Sequence, residues 1–172
     1  MEAPLALVDV DGVLNPFRRP HRRFRRHRVH PDGETVRIWL DARHGRMLRE
    51  LAARTGAELA WATYWEDEAN YWVGPRLGLP KLPYVPLPRF PGVAEGHSLG
   101  AWKARHVAAW TGDRAFIWFE DEPHAAETLA ATSGIGDHLL VHVDPVTGLT
   151  EAHIETAETW LTGRRLPPAI AE

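Results

Sequence analysis

Two aspartates, Asp9 and Asp11, stand one residue apart directly after the apolar segment Leu5 to Val8. Because side chains alternate along an extended chain, two carboxylates at this spacing point to the same side. At the carboxyl edge of a parallel sheet, such a pair can hold a divalent cation or divide the roles of nucleophile and acid. The same residues, followed by Gly12, also fit an ordinary acidic turn, so the pair alone leaves both interpretations open.

Three later groups could meet this pair at the same edge of a sheet. Thr63 closes a second apolar segment, and Glu120 and Asp121 close a third. Lys103 lies in the segment before that third strand and can reach the same edge. One carboxylate can attack phosphorus and a second can protonate the leaving oxygen, while Mg²⁺ and the lysine neutralise the developing charge. A hydroxyl at Thr63 can bind a phosphate oxygen, so the set predicts a phosphoryl-transfer site.

Strands and helices are expected to alternate along most of the chain. Short apolar segments predict four buried strands at Leu5–Val8, Ala57–Ala62, Ala115–Phe119 and Leu139–Val143. Apolar stripes and capping residues predict helices at His44–Thr55, about Glu66–Val73, Ser98 to about Trp110, after Pro123, and Thr150 to about Leu161. This order indicates an α/β fold with a mainly parallel sheet covered on both faces. The Pro- and Gly-rich stretch Gly74 to Gly96 excludes a long helix and leaves room for a short strand near Tyr84–Leu87, and the tail from Gly163 is expected to be irregular.

A β-hairpin flap is expected at about residues 16–41, after the first strand. Its arms, Arg22–Val29 and Glu34–Leu40, flank His30-Pro31-Asp32-Gly33, in which Pro fixes φ and Gly supplies a positive φ. From Arg18 to Arg28 the chain holds seven arginines and no acidic residue, although its formal net charge is −3. Such a basic patch indicates a polyanionic partner or phosphates that need steering; the competing interpretation is a solvated face of the flap.

The composition is that of one globular domain over residues 1–172, with 44% hydrophobic and 25% charged residues. The absence of cysteine excludes disulfides, thiolate metal sites and cysteine nucleophiles. No apolar run is long enough to span a membrane and the N-terminus has no signal-peptide pattern, so a cytoplasmic protein without a membrane partner is expected. The sequence leaves the oligomeric state open.

The ordered set of motifs resembles the haloacid dehalogenase (HAD) superfamily, in its phosphatase branch. That family carries Asp-x-Asp-x-[Thr/Val] after a first strand and a Thr or Ser that closes a second strand. A lysine on a following helix and an acidic pair after a later strand complete the set. In this sequence the four motifs are, in order, Asp9-Val-Asp11-Gly-Val13, Thr63, Lys103 and Glu120-Asp121. Each motif is weak alone, whereas the ordered set, which spans most of the chain, is specific.

The resemblance implies a three-layer Rossmann-like fold and a Mg²⁺-dependent phosphoric-monoester hydrolase. It implies that Asp9 is the nucleophile, which forms an aspartyl-phosphate, and that Asp11 is the general acid and base. Thr63 and Lys103 would bind the phosphate, and Lys103 would also hold the Asp9 carboxylate in place. Because dehalogenation needs no acid at the second aspartate, the presence of Asp11 favours phosphatase chemistry.

The resemblance also implies a metal site. Mg²⁺ would be bound by Asp9, by the backbone carbonyl of Asp11 and by an acid of the fourth motif. The first of the two usual aspartates in that motif is replaced by Glu120, whose side chain is one methylene longer. Whether Glu120 or Asp121 faces the metal is therefore left open.

The surroundings of the motifs bear on the substrate. No insertion is large enough for a cap domain, so an open site beside a basic flap favours a bulky phosphorylated substrate. Three sequence segments are similar to the HAD domain of bacterial Swiss Army Knife RNA repair proteins: Asp-Val-Asp-Gly-Val-Leu-Asn-Pro, Trp-x-Thr-x-Trp and Trp-Phe-Glu-Asp-Glu. A nucleotide or nucleic-acid end phosphate is therefore the expected partner. The expected substrate-binding residues are Thr63, Lys103, Arg22, Arg23, Arg25, Arg26 and Trp65.

Two alternatives remain beside this expectation. A small-metabolite phosphatase would use the same four motifs with an unrelated, smaller substrate. A non-catalytic module could keep the fold and bind nucleic acid through the Arg-rich flap. The complete set of acids, hydroxyl and lysine argues against the second alternative.

Overall fold

The computed structural model describes residues 2–92 and 98–164 and has the expected alternation of strands and helices. The strands are β1 (Leu5–Val8), β2 (Arg25–Val29), β3 (Val36–Leu40), β4 (Glu58–Trp61), β5 (Phe116–Glu120) and β6 (His138–His142). The helices are α1 (Arg43–Thr55), α2 (Glu68–Trp72), α3 (Gly74–Leu77), α4 (Leu99–Thr111), α5 (Ala125–Ala131) and α6 (Glu151–Gly163). None of these helices is long and apolar enough to cross a bilayer.

Four strands form one parallel sheet in the order β4-β1-β5-β6. The register sets Val8, the last residue of β1, level with Trp61 of β4 and Phe119 of β5. Two further backbone bonds extend this alignment, from Asp9 N–H to the Phe119 carbonyl and from Ala62 N–H to the Val8 carbonyl. Three neighbouring strands therefore end at the same level, and the residues that follow them meet at one edge.

The sheet lies between two layers of helices, because its central strands are apolar on both faces. Alternate residues of β1 belong to different hydrophobic clusters, with Ala6 and Val8 in one and Leu5 and Leu7 in the other. The first cluster includes apolar residues of α1 and α6, and the second includes those of α4 and α5. The predicted α/β fold, with a parallel sheet covered on both faces, is confirmed.

The predicted hairpin flap is also present, as β2 paired antiparallel with β3. Pro31–Gly33 forms a single 3-10 turn between the strands, with Asp32 at φ 49° and Gly33 at φ 80°. The first strand of the hairpin, β2, begins at Arg25 instead of the expected Arg22. The chain turns just before β2, where the Phe24 N–H donates to the His21 carbonyl. Phe24 is buried, which anchors this turn to the body of the domain.

Three local details differ from the sequence expectations or fall outside the described residues. The short strand near Tyr84–Leu87 is reduced to one bridge between Tyr84 and Trp61. The helix after Pro123 begins at Ala125, because His124 adopts a left-handed conformation with φ 66°. Most of the expected irregular tail, residues 165–172, and the end of the Pro- and Gly-rich stretch, residues 93–97, lie outside the described residues.

We predict that Gly45→Ala destabilises the fold, because α1 packs against the end of α3 at this position. A Cβ at Gly45 would lie 1.8 Å from the backbone carbonyl oxygen of Leu77, which cannot rotate away. We expect the free energy of unfolding to fall by about 1–3 kcal/mol in urea titrations. Gly163→Ala, in a helix where an added Cβ meets nothing within 4 Å, is the control and should be neutral or stabilising.

Candidate active site

A buried lysine links the ends of β1 and β5. Asp9 follows β1 directly, Glu120 is the last residue of β5, and Lys103 lies on α4. The Lys103 Nζ atom lies 2.7 Å from Asp9 Oδ2 and 2.5 Å from Glu120 Oε2. All three side chains are buried, and Asp9 Oδ1 also accepts a hydrogen bond of 2.7 Å from the Val10 N–H. The Asp9 carboxylate is therefore held in one orientation from both of its oxygens.

The charges of this cluster control its protonation. Burial alone would lower the pKa of Lys103, but the charges of Asp9 and Glu120 outweigh it and hold that pKa above its usual range. Burial raises the pKa of Glu120, and the opposing charge of Lys103 does not cancel that rise. Lys103 thus stays a cation, and it faces two acidic groups at once.

Asp121 adds a third carboxyl group to this cluster. Carboxylate oxygens of Asp9, Glu120 and Asp121 lie within 4.8 Å of one another, and all three residues are buried. Burial and then the charge of Asp9 raise the pKa of Asp121 to about 6. With only one ammonium group among three carboxyl groups, the site has excess negative charge that a hard divalent cation would neutralise. Its donor set of carboxylate oxygens fits Mg²⁺ or a similar ion.

The two acids of the fourth motif have different surroundings. Glu120 Oε1 accepts hydrogen bonds from the backbone N–H groups of Asp121 and Glu122, and its Oε2 faces Lys103. The carboxylate of Asp121 instead packs over Gly12, where a Cβ would lie 2.2 Å from its Cγ atom. Gly12 has φ 77° as well, so both its conformation and the space beside Asp121 require glycine.

Asp11 lies in the tight turn after Asp9, outside the buried cluster. Its Oδ1 accepts a hydrogen bond of 2.7 Å from Asn15 Nδ2, and its Oδ2 accepts one of 2.8 Å from Trp65 Nε1. The residue is exposed at the mouth of the site, but protein atoms surround much of the carboxyl group. This partial burial raises its pKa, and the hydrogen bonds from Trp65 and Asn15 lower it by less. Two separate donors therefore fix a carboxyl group that can both give and take a proton.

Thr63 lies two residues beyond the end of β4 and is buried. The backbone N–H of Trp65 lies 3.4 Å from its hydroxyl oxygen. The same loop therefore supplies a hydroxyl group and, through Trp65, a hydrogen bond to Asp11. The structure brings Asp9, Asp11, Thr63, Trp65, Lys103, Glu120 and Asp121 to one edge of the sheet.

The expected flap arginines do not all lie together. Arg22, Arg23 and Arg25 line one cleft beside the flap, whereas Arg26, the next residue along β2, does not line it. Period-two alternation separates Arg25 from Arg26. Four contributors are not among the expected site residues: Arg19, Arg43 and Arg76 of the cleft, and Asn15 beside Asp11. Of these, Arg19 belongs to the basic patch of the sequence, and Asn15 had a usable signal as an amide two residues after the first motif.

A parallel sheet with these side chains at its carboxyl edge defines an α/β domain of the HAD type. A family model described as "HAD domain in Swiss Army Knife RNA repair proteins" matches residues 5–154. The chain therefore belongs to this family of HAD domains, as its resemblance predicted. Membership implies a phosphatase or another hydrolase of the HAD type, and such domains generally use a divalent metal. Comparison with curated proteins and with solved structures gives no match.

We predict that Asp121→Asn changes stability in a pH-dependent way in metal-free protein. The folded-state pKa of about 6 lies above the ordinary 3.8, so protonation stabilises the fold fully below about pH 4 and this stabilisation is lost as pH rises through 6. Asn mimics the neutral acid. The variant should therefore be more stable than the wild type at pH 7 by about 1–3 kcal/mol, and the difference should shrink toward pH 4.

Urea unfolding of both proteins in EDTA measures this difference, and comparing the two removes contributions shared by both, such as that of buried His44. Added Mg²⁺ should stabilise the wild type and not the variant. Asp113→Asn, which neutralises an exposed acid, is the control. A constant difference between pH 4 and 7, together with equal Mg²⁺ effects, would exclude Asp121 as a metal-facing acid.

Proposed function

We propose that this domain is a Mg²⁺-dependent phosphoric-monoester hydrolase that acts through an aspartyl-phosphate on Asp9. The observation that carries the proposal is the separate fixation of two carboxyl groups. Asp9 is oriented by Lys103 and the Val10 N–H, and Asp11 is oriented by Asn15 and Trp65. One group is thus buried beside a cation, as a nucleophile would be, and the other faces the entrance, where a leaving group would depart.

Each residue then has a defined part in the reaction. An Asp9 carboxylate oxygen attacks phosphorus, the bond from phosphorus to the ester oxygen breaks, and Asp11 gives that oxygen its proton. The Asp11 carboxylate next takes a proton from water, which attacks the same phosphorus and releases inorganic phosphate and free Asp9. Lys103 and Thr63 hold the phosphoryl oxygens through these steps.

The metal would be held by Asp9, by Asp121 and by the backbone carbonyl of Asp11. When bound, Mg²⁺ supplies charge neutralisation at the phosphoryl oxygens and offsets the repulsion between the substrate and the acidic cluster. In this assignment Glu120 binds Lys103 and does not bind the metal. Its carboxylate approaches Lys103 in addition to that of Asp9, so the ammonium group stays charged and in place.

The substrate we propose is a phosphate at the end of a nucleotide or nucleic acid. Two observations support it: the family is described by its occurrence in RNA repair proteins, and three of the expected flap arginines line one cleft. A cytoplasmic location is part of the same proposal. It is consistent with the absence of cysteine from the chain.

We expect Asp9→Asn to abolish hydrolysis of an aryl phosphate, lowering kcat by about a thousandfold or more. The fold should survive, because Lys103 keeps its ion pair with Glu120. Circular dichroism and urea unfolding check the fold, and release of the aryl alcohol in Mg²⁺ measures turnover. Retained turnover in a folded variant would exclude Asp9 as the nucleophile.

Trp65→Phe tests the role of Asp11 as the acid. The Trp65 hydrogen bond lowers the pKa of Asp11, so its loss should raise that pKa. Since Asp11 must be protonated for the first step, the alkaline limb of the kcat/KM profile should move to higher pH. Trp160→Phe, on α6, should leave the limb unmoved. An unchanged limb in Trp65→Phe would mean that Asp11 does not control it.

A further inference from the structure

A positively charged cleft lies outside the set of residues that surround Asp9. The flap, the start of α1 and Arg76 of α3 line a cleft of about 580 Å³, here called the arginine cleft. Six arginines line it, in company with His27 and Asp41: Arg19, Arg22, Arg23, Arg25, Arg43 and Arg76. None of Asp9, Asp11, Thr63 or Lys103 is part of this lining. The cleft is therefore a candidate binding site in its own right.

The positive charge of the arginine cleft is not balanced from within. Asp41, the one acid in its lining, is buried and shared, with Oδ2 lying 3.2 Å from Arg43 Nε and 3.6 Å from Arg23 Nε. Arg43 also approaches the exposed Glu151 at 3.6 Å. Within the described residues, no hydrogen bond or ion pair engages the side chains of Arg22 and Arg25. The guanidinium groups of Arg22 and Arg25 are thus available to an anion, beside four arginines whose charge is only partly compensated.

Several arginines outside the flap are paired with acids. Arg54 forms a bidentate ion pair with Glu158. Arg114 Nη2 lies 2.6 Å from Glu58 Oε2, and Arg164 Nη1 lies 2.6 Å from Asp137 Oδ2. A merely solvated face would be expected to show the same intermixing of signs, because like charges crowded together destabilise a fold. The flap lacks this intermixing, and the part of its positive charge that lines the arginine cleft fits a ligand that brings several negative charges.

The arginine cleft is physically connected to the general acid. The guanidinium of Arg19 lies 5.5 Å from the ring centre of Trp39 on β3. The backbone N–H of Trp39 donates a 2.8 Å hydrogen bond to Asn15 Oδ1, and Asn15 Nδ2 donates to Asp11. One asparagine therefore joins the strand behind the cleft to the carboxyl group that would protonate the leaving oxygen.

Exposed aromatic side chains occur on the loops that follow the Asp9–Asp11 motif and Thr63. Phe17, two residues after Asn15, is 69% exposed, and Tyr64, directly after Thr63, is 40% exposed and stacks on Trp102. Unpaired bases of a single strand stack on such rings, while arginines follow its backbone. Phosphate binding by arginine, with its two-pronged geometry, completes the match to nucleic acid.

We infer that the arginine cleft binds internal phosphodiester groups of a single-stranded nucleic acid. This inference rests on the proposed function, because the terminal phosphate of the same strand would then occupy the site at Asp9. The cleft would select oligonucleotides over mononucleotides and metabolites, since only a longer strand reaches both places. Selection therefore comes from charge and length, with no base-specific contact required.

The test is a binding measurement on the full chain. Fluorescence anisotropy is recorded with labelled RNA and DNA single strands of about ten nucleotides that lack terminal phosphates, over about 50 to 200 mM salt. Arg22→Gln/Arg25→Gln should weaken binding of at least one strand about tenfold at the low-salt end and reduce the slope of log K against log salt by about 1.4. Phe17→Ala should weaken binding with the slope unchanged.

Arg28→Gln/Arg37→Gln is the matched control. Arg28 and Arg37 face each other across the same hairpin and do not line the cleft. Their substitution removes the same two positive charges. Equal losses of affinity in both double variants would overturn the inference, because general electrostatic attraction to the flap would explain them. Unchanged affinity in Arg22→Gln/Arg25→Gln would overturn it as well. Unchanged affinity in Phe17→Ala would overturn the single-strand assignment.

Because these strands carry no end phosphate, the measurement does not depend on catalysis. Turnover of an aryl phosphate, recorded separately on the wild type, reports the proposed function. Oligonucleotide binding that fails while aryl phosphate is hydrolysed overturns only the role of the cleft. Binding that behaves as expected in a chain without turnover supports the cleft and contradicts the hydrolase.

Discussion

The site depends on one buried ion pair network, in which Lys103 lies between Asp9 and Glu120. Removing charges from water is costly, so a buried ammonium persists only where carboxylates compensate it at close range. Here the compensation comes from the ends of two neighbouring strands, and it is available because β1 and β5 end at the same level. The packing of α4 on the sheet and the orientation of the Asp9 carboxylate therefore depend on the same interaction.

The same network explains how an unusual fourth motif can work. Glu120 is the last residue of β5 and Asp121 follows it, and their carboxylates have different partners although both lie near Asp9. The longer Glu120 reaches Lys103, and the shorter Asp121 lies over Gly12, beside Asp9. Glu120, at the first position of the motif, thus forms an ion pair with Lys103. Asp121, at the second position, keeps its carboxylate beside Asp9, where the oxygens fit a cation.

Much of the fold could be predicted from the sequence, because its signals are local. Continuously apolar strands such as Leu5–Val8, the Pro-Asp-Gly turn of the hairpin and the glycine after α1 each have a direct physical meaning. The ordered motifs also predicted which side chains would meet at the sheet edge. Their roles in catalysis remain predictions that the proposed experiments test.

The rest could not be predicted, because it depends on how separate elements pack. Arg43 follows β3 closely in the chain, but Arg76 joins the flap arginines through packing of the hairpin against α2, where His30 contacts the ring of Trp72. Alternation along β2 separates Arg25 from Arg26, but only tertiary packing shows which of them lines a cleft. Tyr84 likewise forms a single bridge to Trp61, since the surrounding prolines cannot donate further ladder bonds.

The central claim is that Asp9 carries the phosphoryl group during turnover. Asp11→Asn should let an aryl phosphate react, because its leaving group needs little protonation, but should slow the attack of water on the intermediate. Acid quenching of this variant during turnover in Mg²⁺, followed by peptide mass spectrometry, measures the claim directly. We predict one added phosphoryl group on the peptide that contains Asp9, absent from Asp9→Asn/Asp11→Asn. A phosphoryl group on another residue, or none during measurable turnover, would contradict the account.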